Sequence, residues 1–440
     1  MAQQFGRLPV SVALHVCLTE FIISTFNSVY ASPRVYPLLV LGFASGLPLA
    51  LVTGTLQAWA TVSGVSLQNI GFLTLVGTAY TLKFLWAPLV DRYAPAFLGR
   101  RRSWMFFTQV LLGLFIILMG TLSPSTHLGL LAGVAVIVAF LSATQDIAFD
   151  AYSTDVLRDN ERAAGAALKV MGYRLAMIVS GGLALVLAAT WLGWQYTYAL
   201  MGVFMLLCAF ATVLAPEPEE IAAAPRTLGV AVVAPLSEFF SRKGAVLILL
   251  LIVFYKLGDA FSGALSTTFL IRGAGFSTEE VGFVNKIFGL IATIVGALAG
   301  GSLMARVGLY RSLMIFGLLQ AVSNFGYWVL AVTPPHIYFM GAIIALENIC
   351  GGLGTAAFVA LLMALCNQKF SATQFALLSA LSAVGRTYLA GPFTPPLVES
   401  LGWPQFFILT VFIAVPGLLL LWFKRHEIKA LDSTGRETEA

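Results

Sequence analysis

Apolar residues in this chain run on for about twenty positions at a time, without the one-face or alternating patterns of a soluble fold. Twelve such runs stand out, at about 35–60, 69–90, 103–122, 128–152, 163–190, 194–214, 245–271, 279–304, 311–332, 337–366, 372–398 and 403–423. Each can cross a bilayer as a helix, which needs ~20 residues. In hydrocarbon a segment must satisfy its own backbone polar groups, and a helix does so internally. The predicted class is an all-α membrane protein with 12 transmembrane helices.

The gaps between runs differ by side. Those after helices 1, 3, 5, 9 and 11 are short and nearly uncharged, at 61–68, 121–127, 191–193, 333–336 and 399–402. The gaps after helices 2, 4, 8 and 10 hold Arg92, Arg100, Arg101, Arg102, Arg158, Arg162, Arg306, Arg311 and Lys369. Among odd-numbered gaps only that after helix 7 holds a base, Arg272. Basic loops stay in the cytoplasm, so the pattern predicts cytoplasmic even-numbered loops, linker and both termini.

The longest interruption, 216–244, predicts a cytoplasmic linker between an N-terminal six-helix bundle at 34–215 and a C-terminal one at 245–424. A polar cytoplasmic tail follows at 425–440. Residues 1–33 form an N-terminal extension of uncertain kind. The apolar stretch 10–25 within it is broken by His15 and Glu20, and reads as an interfacial helix, a cleaved segment, an upstream extension or a thirteenth span. The halves share marks of duplication. Helix 2 opens Ile70-Gly71-Phe72 and exits Leu89-Val90-Asp91-Arg92; helix 8 opens Val281-Gly282-Phe283 and exits Leu303-Met304-Ala305-Arg306. Two six-helix halves about an axis along the membrane normal resemble the major facilitator superfamily. The loop carrying Asp91, Arg92, Gly99 and Arg100 resembles that superfamily's helix 2–3 motif, with Arg306 in the counterpart loop. The expected role is a cytoplasmic latch of Asp91, Arg92, Arg100 and Arg306, made in one state and released in the other. The plainer alternative is that these arginines only fix orientation.

Composition removes other classes. Of 440 residues 59% are hydrophobic and only 10% charged, with mean hydropathy +0.90, so the lipid bilayer is the expected solvent. The net charge of +5 lies in loops as a topology signal and implies no nucleic acid. Cys17, Cys208, Cys350 and Cys366 are scattered, with neither disulfide framework nor metal spacing. The four histidines lie outside confident span interiors, and no nucleophile-elbow motif occurs, so an enzyme is not expected.

Against this background ten ionisable residues fall inside the apolar runs: Lys83, Asp146, Asp150, Lys169, Arg174, Lys256, Asp259, Lys286, Glu347 and Arg386. A charge at bilayer depth costs ~2.5–3.5 kcal/mol on insertion scales. Ten of them imply a water-accessible cavity that they share. Asp146 and Asp150 lie four apart on one helical face and will not ionise independently, which suits a proton carrier; the plainer alternative is a structural pair neutralised by Lys83, Lys169 or Arg174 from neighbouring helices. Lys256 and Asp259 sit at i and i+3, either as a self-contained ion pair or as one that a ligand or proton splits. Glu347 precedes Asn348 and the glycines 351, 352 and 354, which let helix backbones approach closely. The expected proton-coupling set is Asp146, Asp150, Asp259 and Glu347. Six bases against four acids leave a basic surplus that an anionic solute would neutralise.

The stretches Leu41-Gly-Phe-Ala-Ser-Gly-Leu-Pro48, Ser142-Ala-Thr-Gln-Asp-Ile-Ala-Phe-Asp150, Tyr255-Lys-Leu-Gly-Asp-Ala-Phe261, Thr267-Thr-Phe-Leu-Ile-Arg-Gly273 and the run from Phe370 to Arg386 resemble the AmpG type of muropeptide permease of Gram-negative bacteria. The resemblance covers about 35–424. It implies a proton-driven importer of the inner membrane, working by alternating access with no cofactor but the proton gradient. The implied cargo is N-acetylglucosamine–1,6-anhydro-N-acetylmuramic acid with or without a stem peptide, recovered from wall turnover and linked in some species to β-lactamase induction. Another amphipathic anion, such as an acyl-CoA-like solute, is the alternative. The expected substrate-binding set is Tyr80, Lys83, Trp86, Lys169, Arg174, Tyr255, Lys256, Lys286, Asn348 and Arg386, with aromatic faces for sugars and bases for carboxylates. A functional monomer is expected.

Overall fold

The computed structural model describes residues 32–92, 98–158, 161–217, 234–242, 244–366 and 371–437. Among these residues all regular structure is helical. The apolar stretch at 10–25, with its alternative readings, lies outside them. Among the described residues ten helices are long and apolar enough to span a membrane. In chain order the helical segments are α1 (Pro37–Val62), α2 (67–92), α3 (Arg101–Thr121), α4 (Leu128–Val156), α5 (Ala164–Thr190), α6 (Gly193–Leu214), α7 (Ala245–Gly273), α8 (Thr278–Val307), α9 (Leu309–Val332), α10 (Ile337–Ala364), α11 (371–401) and α12 (402–423). Two features separate the ten from the twelve expected. Helix α2 is interrupted by 3₁₀ turns at Thr74–Gly77 and Lys83–Leu85. Helices α11 and α12 run together as one continuous stretch whose only non-helical residue is Gly402, at φ +76° and ψ 163°. The expected count of twelve requires that α2 be read as a crossing and that stretch be divided at Gly402.

Within the expected halves α1 packs on α5, α3 on α4 and α6, α8 on α10, α9 on α10 and α12, and α7 on α12; across them α5 packs on α8 and α2 on α11. Small residues set the spacing, as membrane packing requires. Gly172 of α5 lies against the backbone of α1 at Leu39 and Phe43, and Gly352 of α10 against α8 at Thr293 and Ala297. A methyl at either position would meet main chain.

Four spans contain π-helical turns: Ile178–Leu183 in α5, Phe269–Gly273 in α7, Val281–Phe288 in α8 and Gly385–Ala390 in α11. Such turns are rare and gather at functional positions. The linker is not wholly irregular. A helix at Ala234–Phe240 precedes Arg242, which pairs with Glu238 at 2.8 Å and donates to the Leu365 carbonyl at 2.5 Å. After α12 the tail continues as a helix over Arg425–Glu437, anchored by the buried Ile428.

Candidate functional site

Helices α1, α2, α5, α7, α8 and α11 meet around a cavity of ≈ 430 Å³. Local irregularity shapes each wall. Thr53, at φ −117° and ψ −99°, breaks α1 four residues beyond Leu49 and faces the cavity beside Gly54. Tyr80 and Thr81 follow the first 3₁₀ turn of α2. Lys286 and Arg386 both project from π-helical turns. Among the described residues they are the only charged ones in the lining, and no acid joins them. The Lys286 ammonium donates to Thr267 Oγ1 at 2.8 Å and lies against Gly54, where an added Cβ would stand 3.1 Å from Nζ. Arg386 makes no ion pair or hydrogen bond among the described residues. Thr53, Gln57, Thr267 and Thr387 add polar atoms to the wall. A solute carrying a carboxylate and several hydroxyls finds both kinds of partner here.

The cavity is shut at the end bearing the short loops. Gln57 Nε2 donates to the Ala264 carbonyl at 2.8 Å, the Thr61 and Thr268 hydroxyls are 2.9 Å apart, and Gln68 Nε2 donates to Glu399 at 3.3 Å. Each contact joins the two expected halves.

The ten ionisable groups do not share one chamber. Of the expected substrate-binding residues only Tyr80, Lys286 and Arg386 line the cavity. Lys83 and Lys169 are drawn to Asp150, at 3.9 and 2.7 Å, and Lys169 also donates to Ser153 at 2.9 Å. Trp86 donates to Thr144 at 3.1 Å and packs on Phe140. Arg174 is half-buried and outside the lining. Tyr255 stacks on Phe358 at 5.5 Å and donates to the Leu313 carbonyl at 2.9 Å. Lys256 is held inside the second half by Asp259 at 3.8 Å, Gln320 at 3.3 Å and Thr355 at 3.2 Å. Asn348 accepts from Thr293 at 2.8 Å and donates to Glu347 at 3.0 Å. The reason is electrostatic. A desolvated charge takes the nearest opposite charge or dipole, and these helices supply one.

Asp146 differs from Asp150. Its Oδ1 accepts from the Ser45 hydroxyl at 2.5 Å, and it forms no ion pair among the described residues. The side chains of the expected latch residues Asp91, Arg92 and Arg100 lie outside the described set, and Arg306 is exposed. Beside them, Arg101 pairs with Asp155 at 3.2 Å, and Arg102 with Glu217 at 2.6 Å. Sequence reasoning assigned no role to Thr53, Gln57, Thr267 or Thr387. Their only signal is polarity inside apolar runs, which back-bonded helix hydroxyls share.

The Major Facilitator Superfamily family model matches residues 38–386 and 259–439. The chain is 60% identical over 406 residues to the anhydromuropeptide permease of Escherichia coli K12, covering 92% of this chain and 82% of the relative. The chain belongs to the major facilitator superfamily and, within it, to the AmpG-type permeases. It is a multi-pass membrane transporter and not an enzyme. The fold is also that of a bacterial homologue of the human lysosomal transporter Spinster, solved inward-facing and unoccupied, at TM-score 0.73 and 16% identity over 91% of this chain and 99% of that one. A D-xylose–proton symporter matches at TM-score 0.67 and 14% identity over 88% and 96%.

Proposed function

We propose that this permease imports anhydro-muropeptides, with or without stem peptide, from periplasm to cytoplasm for cell-wall recycling, coupled to protons and by alternating access. The permease of 60% identity carries that cargo in its name. The observation that bears most weight is the cavity whose lining, among the described residues, holds two cations, Lys286 and Arg386, and no acid. The muramyl lactyl carboxylate, or the peptide carboxylates joined to it, would pair with these groups, and the sugar hydroxyls with Gln57, Thr53 and Thr387. A charged hydrogen bond of this kind contributes ~1.5–3 kcal/mol.

Asp146 is the proton carrier in this reading. Its bond to Ser45 is with a neutral hydroxyl, so it can gain or lose a proton without breaking an ion pair. Asp150 is the fixed counter-ion of Lys83 and Lys169. Asp259 and Glu347 form a second acidic region around Lys256 in the other half. The protein would act as a monomer in the inner membrane, with both termini cytoplasmic. The test is uptake of labelled anhydro-disaccharide into proteoliposomes with and without an imposed pH gradient. Accumulation that follows the gradient supports the reading. Equilibration alone removes the proton, and no uptake removes the cargo.

A further inference from the structure

Arg272 is the one lysine or arginine in the odd-numbered gaps, which are otherwise nearly uncharged, and its geometry gives the exception a purpose. It ends α7 inside the π-helical turn Phe269–Gly273. From there the guanidinium crosses to the other half and grips the end of α1. Nε donates to the Thr61 carbonyl at 2.9 Å and Nη1 to the Val65 carbonyl at 2.7 Å, while Nη2 bonds the Thr61 and Ala60 carbonyls. These oxygens surround the turn at Gly64, whose φ of +81° folds the chain back over the end of α1.

The chemistry is that of a cation on a helix C-terminus, where carbonyls without helical partners concentrate negative charge. Two other arginines do the same. Arg102 donates to the Ala215 carbonyl at 2.5 Å and the Val213 carbonyl at 3.4 Å at the end of α6, and Arg242 to the Leu365 carbonyl at 2.5 Å at the end of α10. Neither joins the first half to the second. Arg272 does, in line with the neutral contacts of Gln57 with Ala264 and Thr61 with Thr268. It is the strongest donor in that row because it is charged. It is also exposed, so water can take over its hydrogen bonds when the halves part.

We propose that Arg272 is the reversible bolt of the short-loop gate. It is a positioning residue: it touches no cargo, and it sets how long the cavity stays shut at that end. The proposal rests on the transporter reading but on no choice of cargo, so its test uses none.

The test measures distances between spin labels on cysteines at the exposed loop positions Ser125 and His336, one in each half, with the four native cysteines replaced and the full chain in nanodiscs. The unaltered gate is expected to give one short-distance population. Arg272→Gln should raise the ratio of long to short distances about tenfold, equivalent to ~1.4 kcal/mol. Arg272→Lys keeps the charge but not the fork, and should fall between the two. Should the glutamine variant fail to fold, the lysine variant alone decides: a partial shift supports the bolt. An unchanged distribution in a folded variant overturns it, and leaves the proposed cargo and proton coupling untouched.

Discussion

At the scale of single residues, what separates the cations of this permease is whether an acid stands within reach. Lys83, Lys169 and Lys256 each have one, whereas Lys286 has a threonine hydroxyl and Arg386 has no partner among the described residues. Lys286→Ala and Arg386→Ala should each weaken binding of a carboxylate-bearing cargo about 10–100-fold, the loss of one charged hydrogen bond. Lys83→Ala should change it little, because Asp150 keeps Lys169 at 2.7 Å. Calorimetric titration of the purified variants checks this, and equal losses for all three would place the cargo elsewhere. The contrast was only partly legible in the sequence, which offered Lys83, Lys169 and Arg174 as partners for the Asp146–Asp150 pair and Asp259 for Lys256, without choosing among them. An apolar run fixes the depth of a charge along its helix, and the excess of bases was visible. The partner comes from a neighbouring helix, as for Asp150 of α4 between Lys83 of α2 and Lys169 of α5, and nothing in a single chain's spacing sets that rotation.

At the scale of elements, boundaries read well because chain geometry and turn residues mark them: Gly99, Gly193, Gly308 and Gly402 all have positive φ at or beside the start of a helix. The interior breaks read poorly. The 3₁₀ turns of α2 and the four π-helical turns have apolar sequences like their surroundings, and tertiary packing decides them. Close helix contact is a stronger signal, as the glycines of α10 show. At Gly172 a methyl would strike the α1 backbone, which cannot move as a side chain would. Gly172→Ala should therefore cost ~1–3 kcal/mol, the usual range for overpacking, and lower the melting temperature in detergent.

The loop before α5 gives a pH-dependent test. Burial tends to raise the pKa of Glu161, but the Ser32 hydroxyl at 2.6 Å, the Arg158 N–H at 3.2 Å and the charges of Arg34 and Arg158 outweigh it and hold the carboxyl below its usual 4.5. A lowered folded-state value means the ion stabilises fully above the unfolded value, and that this is lost as pH falls through the folded one. Melting curves of the wild type and Glu161→Gln should differ at neutral pH and converge below 4.5. A difference that persists in acid would mean that Glu161 acts only by packing.

At the scale of the molecule, the proposed proton acid and the two cations of the cargo cavity fall in different expected halves. Asp146 and Ser45 belong to α4 and α1, whereas Lys286 and Arg386 belong to α8 and α11. Among the described residues no ion pair joins Asp146 to Lys286 or Arg386. Coupling must then pass through the relative position of the halves, which both ligands bias, rather than through direct charge exchange. This separates two activities in one variant. Asp146→Asn mimics the protonated acid permanently, so the halves can still rock and exchange cargo across the membrane. It should retain counterflow of labelled against unlabelled anhydro-disaccharide, and lose accumulation driven by a pH gradient. Loss of both would mean that Asp146 contributes to the rocking itself, because an ion pair or hydrogen bond of its charged form is needed in one state. Retention of both would move the proton to another acid, with Glu347 the next to examine, since it forms no ion pair among the described residues and accepts from the neutral Asn348 amide.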